Sequence, residues 1–132
     1  PMYSASNCRL NQYSEKYAAQ NVLIEDDKAV LYTAFLEKLK KEGGETAKRM
    51  IYMFREVSEM DPNDYTKATQ REFAEHLACD IRTIRKDMAW FVTNDLIKSS
   101  RGYKPLNKCI IFYNYVLDKD LEIKEPLDRI FQ

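Results

Sequence analysis

Glycine, proline, cysteine and histidine are all scarce in this 132-residue chain, which has 3, 4, 3 and 1 of them respectively. So few glycines and prolines exclude long flexible linkers, and the length fits one globular domain with a core of its own. The cysteines, Cys8, Cys79 and Cys109, have neither the spacing of a zinc site nor the even number of a disulfide framework. Because Cys79 and Cys109 lie in apolar contexts, we expect buried thiols and a reducing, cytoplasmic environment.

Long apolar runs and catalytic motifs are lacking as well. No apolar run approaches the roughly 20 residues of a membrane helix, and residues 2–16 are too polar for a signal peptide. The single histidine, His76, forms no recognisable nucleophile–base motif with another residue. The sequence also has no phosphate-binding loop and no metal-ligand spacing. We therefore expect no enzymatic activity, cofactor, metal site, small-molecule ligand or membrane partner, and we expect the acidic residues to be solvated.

The chain has no net charge, because 21 basic residues balance 21 acidic ones. The charges are nevertheless unevenly distributed. Residues 66–108 contain nine Lys or Arg and five Asp or Glu, a net +4, and residues 81–108 contain seven against two, a net +5. A local basic patch on a neutral chain is typical of a protein that docks on DNA with one face, although such imbalances are also common in short windows.

Two helical patterns occupy residues 28–60. In the first, apolar residues recur at i, i+4 and i+8, and Gly43–Gly44 end the pattern. This apolar surface is wide enough either to pack in the core or to form a homodimer interface, through Leu31, Phe35 and Leu39. The second helix is predicted over residues 45–60, with an apolar face made of Met50, Ile51, Phe54 and Val57.

Two further helices with almost no loop between them are predicted within residues 69–94. Thr69 is a good N-cap that forms a capping box with Glu72, and Asp80 is a second N-cap. These caps leave a turn of about three residues. The second of these helices, residues 81–94, has a buried stripe of Ile84, Met88 and Phe91, and opposite to it lie Arg82, Arg85, Lys86, Ala89 and Thr93.

The apolar period changes after Leu96. "LIKSS" and "CIIFYNYVL" are β-branched and aromatic with period-2 alternation, and "RGYKPLNK" between them contains turn formers. These segments predict a β-hairpin with a basic tip. Residues 2–27 are expected to be an N-terminal arm, in which "NVLIEDD" is a short strand or a lead-in. Residues 118–132 are expected to be a charged tail, with a short helix in "EPLDRIF".

The order of these elements resembles that of the winged helix-turn-helix superfamily. "TQREFAEHL" is similar to its first motif helix, and "DIRTIRKDMAWFVTNDLI" to its recognition helix and exit. The superfamily usually has glycine where this chain has Asp95, so Asn94 is expected to take the left-handed conformation instead. The resemblance covers roughly residues 45–116. It implies an α+β, mostly helical fold over residues 28–117: a winged helix-turn-helix with an extra N-terminal helix and a C-terminal β-hairpin wing.

A member of this superfamily would insert the helix at 81–94 into the major groove of DNA. We expect Arg82 and Arg85 to contact bases, Lys86 to contact phosphate, and Thr83 to do either. We expect the wing tip to contact phosphate or the minor groove, and the start of the first motif helix to contact phosphate. The complete candidate DNA-binding set is Arg82, Thr83, Arg85, Lys86, Ala89, Thr69, Gln70, Arg71, Arg101, Tyr103, Lys104 and Lys108.

Three functions follow from these patterns. The leading one is a transcriptional regulator that binds an operator in double-stranded DNA as a homodimer, associated with the nucleoid. The second is a plasmid or phage replication-initiator or partition protein that binds an origin, because the winged helix followed by "YNYVLDKDLEI" loosely resembles such domains. The third is a protein-interaction module, in which Trp90 and the tyrosines of "IIFYNYVL" would be the hot spots.

Overall fold

The computed structural model describes residues 23–61 and 68–119 of the chain. These residues form an α+β structure that is mostly helical, with five helices and one two-stranded antiparallel sheet. The predicted helix in "EPLDRIF" and most of the predicted N-terminal arm lie outside the described residues. In chain order, the elements are α1 (Glu25–Glu42), α2 (Gly44–Ser58), α3 (Gln70–His76), α4 (Ile81–Thr93), β1 (Ile97–Ser99), β2 (Tyr103–Pro105) and α5 (Asn107–Lys119).

Helix α1 begins earlier than the apolar pattern predicts. Glu25 to Asp27 form its first turn, where acidic side chains interact favourably with the helix dipole, so this part of "NVLIEDD" is helical and not a strand. The helix ends as predicted at Gly43, which has a positive φ of 64° and whose N–H donates to the Leu39 carbonyl at 2.8 Å. None of the helices within residues 23–61 and 68–119 is both long and apolar enough to cross a membrane.

The core is centred on the ring of Phe35 in α1. Four aromatic rings from three other helices lie within 6 Å of it, centroid to centroid: Phe54 of α2, Trp90 and Phe91 of α4, and Phe112 of α5. Aromatic rings bury the largest apolar areas, so this cluster fixes how the helices pack together.

The predicted dimer interface on α1 is wrong. Leu31, Phe35 and Leu39 are only 8%, 0% and 3% exposed, because they pack inside the chain's own core. Core packing, the alternative that the sequence left open, is therefore their role.

Both predicted N-caps are confirmed. The hydroxyl of Thr69 accepts a hydrogen bond from the Glu72 N–H at 3.0 Å and donates to the Glu72 carboxylate at 3.1 Å. The carboxylate of Asp80 accepts from the Arg82 N–H at 2.7 Å. Each cap satisfies a backbone donor that the first turn of a helix would otherwise leave unpaired, so the sequence determines where α3 and α4 begin.

Helices α3 and α4 end in the same way. At the end of α3, the N–H of Cys79 donates to the Ala74 carbonyl and that of Ala78 to Glu75, with Ala78 at φ 52°. This pair of hydrogen bonds around a left-handed residue is a Schellman motif.

At the end of α4, the N–H of Leu96 donates to Phe91 and that of Asp95 to Val92, with Asp95 at φ 57°. The prediction that Asn94 takes the left-handed conformation is wrong. Asn94 has φ −90°, and its side-chain amide donates to the Trp90 carbonyl at 2.8 Å.

A short hairpin follows α4. Strand β1 pairs with β2 so that Ile97 faces Pro105 and Ser99 faces Tyr103, and residues 100–102 form the turn. The N–H of Tyr103 also donates to the Ala68 carbonyl at 2.8 Å, in an antiparallel bridge. Strand β2 is thus attached on one side to β1 and on the other to the residue just before the cap of α3.

The hairpin is smaller than predicted, because "CIIFYNYVL" forms helix α5 and not the second strand. The buried residues of α5 recur at i, i+3, i+4 and i+7, which is a helical stripe: Cys109, Phe112, Tyr113 and Val116. The helix also continues past residue 117, where the sequence predicted a domain boundary.

The two described cysteines differ in burial. Cys109 is fully buried, as predicted, and its thiol lies 3.2 Å from the Ser58 hydroxyl. Burial raises the pKa of Cys109 to about 11. Cys79 is only half-buried, because it lies in the turn between α3 and α4.

Candidate nucleic-acid interface

Helix α4 has one buried and one basic face, as predicted. Ile84, Met88 and Phe91 are almost fully buried. Thr83 lies at the boundary of the two faces and is half-buried. The side chains exposed on the other face are those of Arg82, Arg85, Lys86, Ala89 and Thr93.

Arg82 is held at the start of this face by the residue that caps the helix. Its Nε donates to Asp80 Oδ1 at 3.0 Å and its Nη2 to Oδ2 at 3.2 Å. The side-chain hydrogen bond from Arg82 holds the pKa of Asp80 below its usual value, and the same bond raises the pKa of Arg82. The Arg82 side chain is 83% exposed, so the pair is weak and can open when a stronger acceptor approaches.

Arg85 is held by a side chain of α3. Its Nε donates to Gln70 Oε1 at 2.7 Å, which leaves both Nη groups outside this bond. Gln70 also interacts with the hydroxyl of Tyr103 in β2. Burial raises the pKa of Tyr103 to about 12, while Arg85 and Gln70 act in the opposite direction. Three separate elements therefore meet at Gln70, which positions Arg85.

Tyr103 does not lie at the wing tip, where the sequence predicted it. The residue is not at an exposed hairpin tip, because it is 1% exposed and its ring packs on Phe73 at a centroid distance of 6.0 Å. A hydrogen bond with Gln70 and the charge of Arg85 both act on its hydroxyl, so Tyr103 links β2 to those two side chains.

The other basic residues of the hairpin region are spread over three elements. Arg101 is exposed in the turn, Lys104 is half-buried on β2, and Lys108 is half-buried at the start of α5. Lys98, which sequence reasoning did not select, is exposed on β1 directly across from Lys104. Like charges facing each other across two strands disfavour the hairpin.

Lys86 and the residues at the start of α3 have simpler surroundings. Lys86 lies near the end of α1: the pKa of Glu42 is held low chiefly by a hydrogen bond from Lys38, and the charge of Lys86 adds to the effect. Arg71 is exposed on α3. The hydroxyl of Thr69 accepts the hydrogen bond that caps α3, so its first role is structural.

A buried ion pair fixes α4 from the opposite side. Asp87 Oδ2 accepts from Arg49 Nε of α2 at 2.7 Å, and Arg49 also donates to Thr46 at 3.1 Å. The Asp87 side chain is almost fully buried, so the expectation that the acidic residues are all solvated is wrong at this position. A charge inside the protein is tolerated when it is paired and hydrogen-bonded, and this pair ties the orientation of α4 to α2.

Trp90 belongs to the packing of the chain and is not a free surface residue. Its ring stacks on Phe35 of α1 at a centroid distance of 5.4 Å and an interplanar angle of 27°. This contact accounts for a half-buried tryptophan on the flank of α4 without any partner protein.

Comparisons of the chain with protein-family models, with curated proteins and with solved structures found no match. The geometry of the basic face is therefore the basis for assigning a function. That face consists of Arg82, Arg85 and Lys86 on α4, with Gln70 beside them and the hairpin lysines nearby.

Proposed function

We propose that the chain is a winged helix-turn-helix protein that binds a specific site in double-stranded DNA and regulates transcription from an operator. The observation that carries the proposal is the exposed face of α4, where Arg82, Arg85 and Lys86 project together while the opposite face is anchored in the core. An α-helix fits the major groove, and arginine can donate two hydrogen bonds to guanine O6 and N7.

The arrangement around α4 supports this proposal. The order of α2, α3, α4 and the hairpin is the order expected from the resemblance to the superfamily. Ala68 pairs with Tyr103 of β2 beside the hairpin. Lys98 and Arg101 in the hairpin are suited to contact phosphates that flank the groove, because phosphate contacts position a protein on the duplex.

The proposal assigns different tasks to the three basic residues of α4. Arg82 exchanges its exposed bond to Asp80 for a base edge or a phosphate. Arg85, whose Nε is already bonded to Gln70, presents its two Nη groups to a guanine. Lys86 lies farther along the helix and contacts the phosphate backbone.

The experiment begins with selection of bound sequences from a random pool of DNA duplexes. Binding of the selected site is then measured for the chain and for the double variant Arg82→Ala/Arg85→Ala. Each bidentate arginine contact contributes about 1–3 kcal/mol of discrimination, so we expect site-specific affinity to fall on the order of a hundredfold or more. The circular dichroism spectrum should be unchanged, because both side chains are exposed.

The matched control removes two positive charges far from this face. Lys28 and Lys119 lie beside the Tyr115 ring near the start of α1, and Lys86 lies near its other end. Lys28→Ala/Lys119→Ala should bind the selected site almost as well as the unaltered chain. If no duplex is bound at low salt, or if the arginine variant binds undiminished, the proposal is wrong. A selected array of repeats in place of a palindrome would indicate an origin or partition site.

A further inference from the structure

Helix α1 has a second apolar strip on the side that faces away from the core. Ala29, Val30, Thr33 and Ala34 form this outer strip with Glu37 at its C-terminal end, around a shallow depression of about 430 Å³. Val30 is 71% exposed, the highest value among the large apolar side chains of the described residues. No side chain from another described element lines the depression, so among the described residues this apolar surface has no covering partner.

The charges of α1 are divided between its two ends. The first turn contains Glu25, Asp26 and Asp27, and the last turn contains Lys40 and Lys41. Asp26 and Lys40 lie on the same face as the outer strip, because positions 26, 30, 33, 37 and 40 are spaced by four and three residues. Both side chains are exposed, at opposite ends of the strip.

We propose that the outer strip of α1 binds the same strip of a second copy of this chain, with the two helices antiparallel. A two-fold axis near Thr33 makes such an interface self-complementary. Asp26 and Lys40 each lie seven residues from Thr33, so each Asp26 then faces the partner's Lys40. A parallel arrangement would instead bring acid to acid and base to base, which is unfavourable.

The centre of this interface has short side chains, those of Ala29, Thr33 and Ala34, which allows two helices to approach closely. Val30 and Ala34 lose their exposure to water when they pack on the partner's helix, and the hydrophobic effect favours that burial. Glu37 is exposed on the same face, between Thr33 and Lys40. Lys41 follows it by four residues, the order in which Glu and Lys side chains interact favourably on a helix.

The inference concerns the association of two chains and does not rest on the proposed function. The test measures the association of the full chain by sedimentation velocity over a range of concentrations, without DNA. Asp26→Lys and Lys40→Asp should each raise the dimer dissociation constant about tenfold, because each reversal replaces two attractive pairs with two repulsive ones. Val30→Glu should weaken the dimer at least as much.

The decisive step is to mix the two single variants. In a mixed dimer, both 26–40 pairs again join opposite charges, so the mixture should recover the affinity of the unaltered chain to within about threefold. Native mass spectrometry distinguishes this mixed dimer from the two homodimers. The matched controls are Glu75→Lys and Lys98→Asp, which reverse exposed charges on other elements and should leave dimer affinity unchanged.

Three results would overturn the proposal. The first is a chain that stays monomeric at every concentration. The second is a set of single variants that dimerise as well as the unaltered chain, and the third is a mixture that does not recover affinity. If residues 1–22 or 120–132 of the same chain covered the outer strip, the chain would be monomeric, which is the first of these results. Val30→Glu would then lower the melting temperature of the monomer.

Discussion

At the scale of single residues, three polar side chains hold α4 and the two arginines of its exposed face. Asp80 caps the helix and accepts from Arg82, Gln70 accepts from Arg85, and Asp87 forms a buried pair with Arg49. These bonds exist within the chain itself. The basic face is therefore organised before any ligand arrives, and preorganisation lowers the entropic cost of binding.

The role of Gln70 leads to a prediction that rests on the proposed function. Gln70→Ala should weaken binding of the selected DNA site about fivefold, since a hydrogen bond of about 1 kcal/mol that orients Arg85 is lost. The loss should be concentrated at one base position, which is measured by titrating duplexes that carry single-base changes.

Gln70→Glu is the matched control for this prediction. It keeps a side-chain oxygen beside Arg85 Nε, so discrimination at that base position should survive even if overall affinity changes. A Gln70→Ala variant that discriminates among bases as well as the unaltered chain would exclude a positioning role.

At the scale of elements, the two Schellman motifs determine how α3 joins α4 and how α4 joins the hairpin. Ala78 and Asp95 occupy the left-handed position of these motifs, which glycine normally fills because a side chain there is strained. Both residues are exposed, so a smaller residue would remove no packing.

We predict that Ala78→Gly and Asp95→Gly each raise the free energy of unfolding by about 0.5–1 kcal/mol. The physical reason is relief of left-handed strain, which exceeds the extra entropy of glycine in the unfolded chain. Urea unfolding provides the measurement.

Ala89→Gly on the exposed face of α4 is the control and should have the opposite sign. Its backbone is helical, so glycine there should cost about 1 kcal/mol. If the turn variants were destabilised as much as Ala89→Gly, left-handed strain would not be the determining factor.

The sequence predicts α1 to α4 well because caps and apolar stripes agree there. It does not predict α5. The segment "CIIFYNYVL" is rich in Ile, Phe, Tyr and Val, which favour strands locally. Its apolar residues fit both the two-residue period of a strand and the stripe of a helix. Only the burial of Phe112 beside Phe35 and Phe54 decides between the two, and that contact depends on the tertiary structure.

In the candidate site too, features within one helix can be predicted from the sequence, and contacts between elements cannot. The basic face of α4 follows from periodicity within a single helix, so the sequence is sufficient to predict it. The partners of that helix do not follow from periodicity. Arg85 bonds to Gln70 15 residues away, and Asp87 bonds to Arg49 38 residues away. Pairs at such separations leave no periodic pattern in one sequence.

At the scale of the whole molecule, the core contains groups that resist ionisation. Burial raises the pKa of Cys109 from 9.0 to about 11 and that of Tyr103 from 10.0 to about 12. In the unfolded chain both groups ionise at the lower values. Raising the pH through this interval therefore favours the unfolded chain, while below pH 9 the stabilisation is fully present.

We predict that the free energy of unfolding falls on the order of 2 kcal/mol between pH 9 and pH 11. Urea unfolding at several pH values measures this loss. Cys109→Ala should flatten the slope over that interval, even though it lowers stability at every pH by leaving a small cavity. Stability that stays constant to pH 11 would contradict the prediction.

Trp90 is the one tryptophan of the chain, and its ring stacks on Phe35. The fluorescence of the protein at tryptophan wavelengths thus arises from a single place, the contact of α1 with α4. Quenching or a red shift of this emission would signal separation of the two helices. The chain therefore has an intrinsic optical probe of that contact, and no dye or added label is needed to follow it.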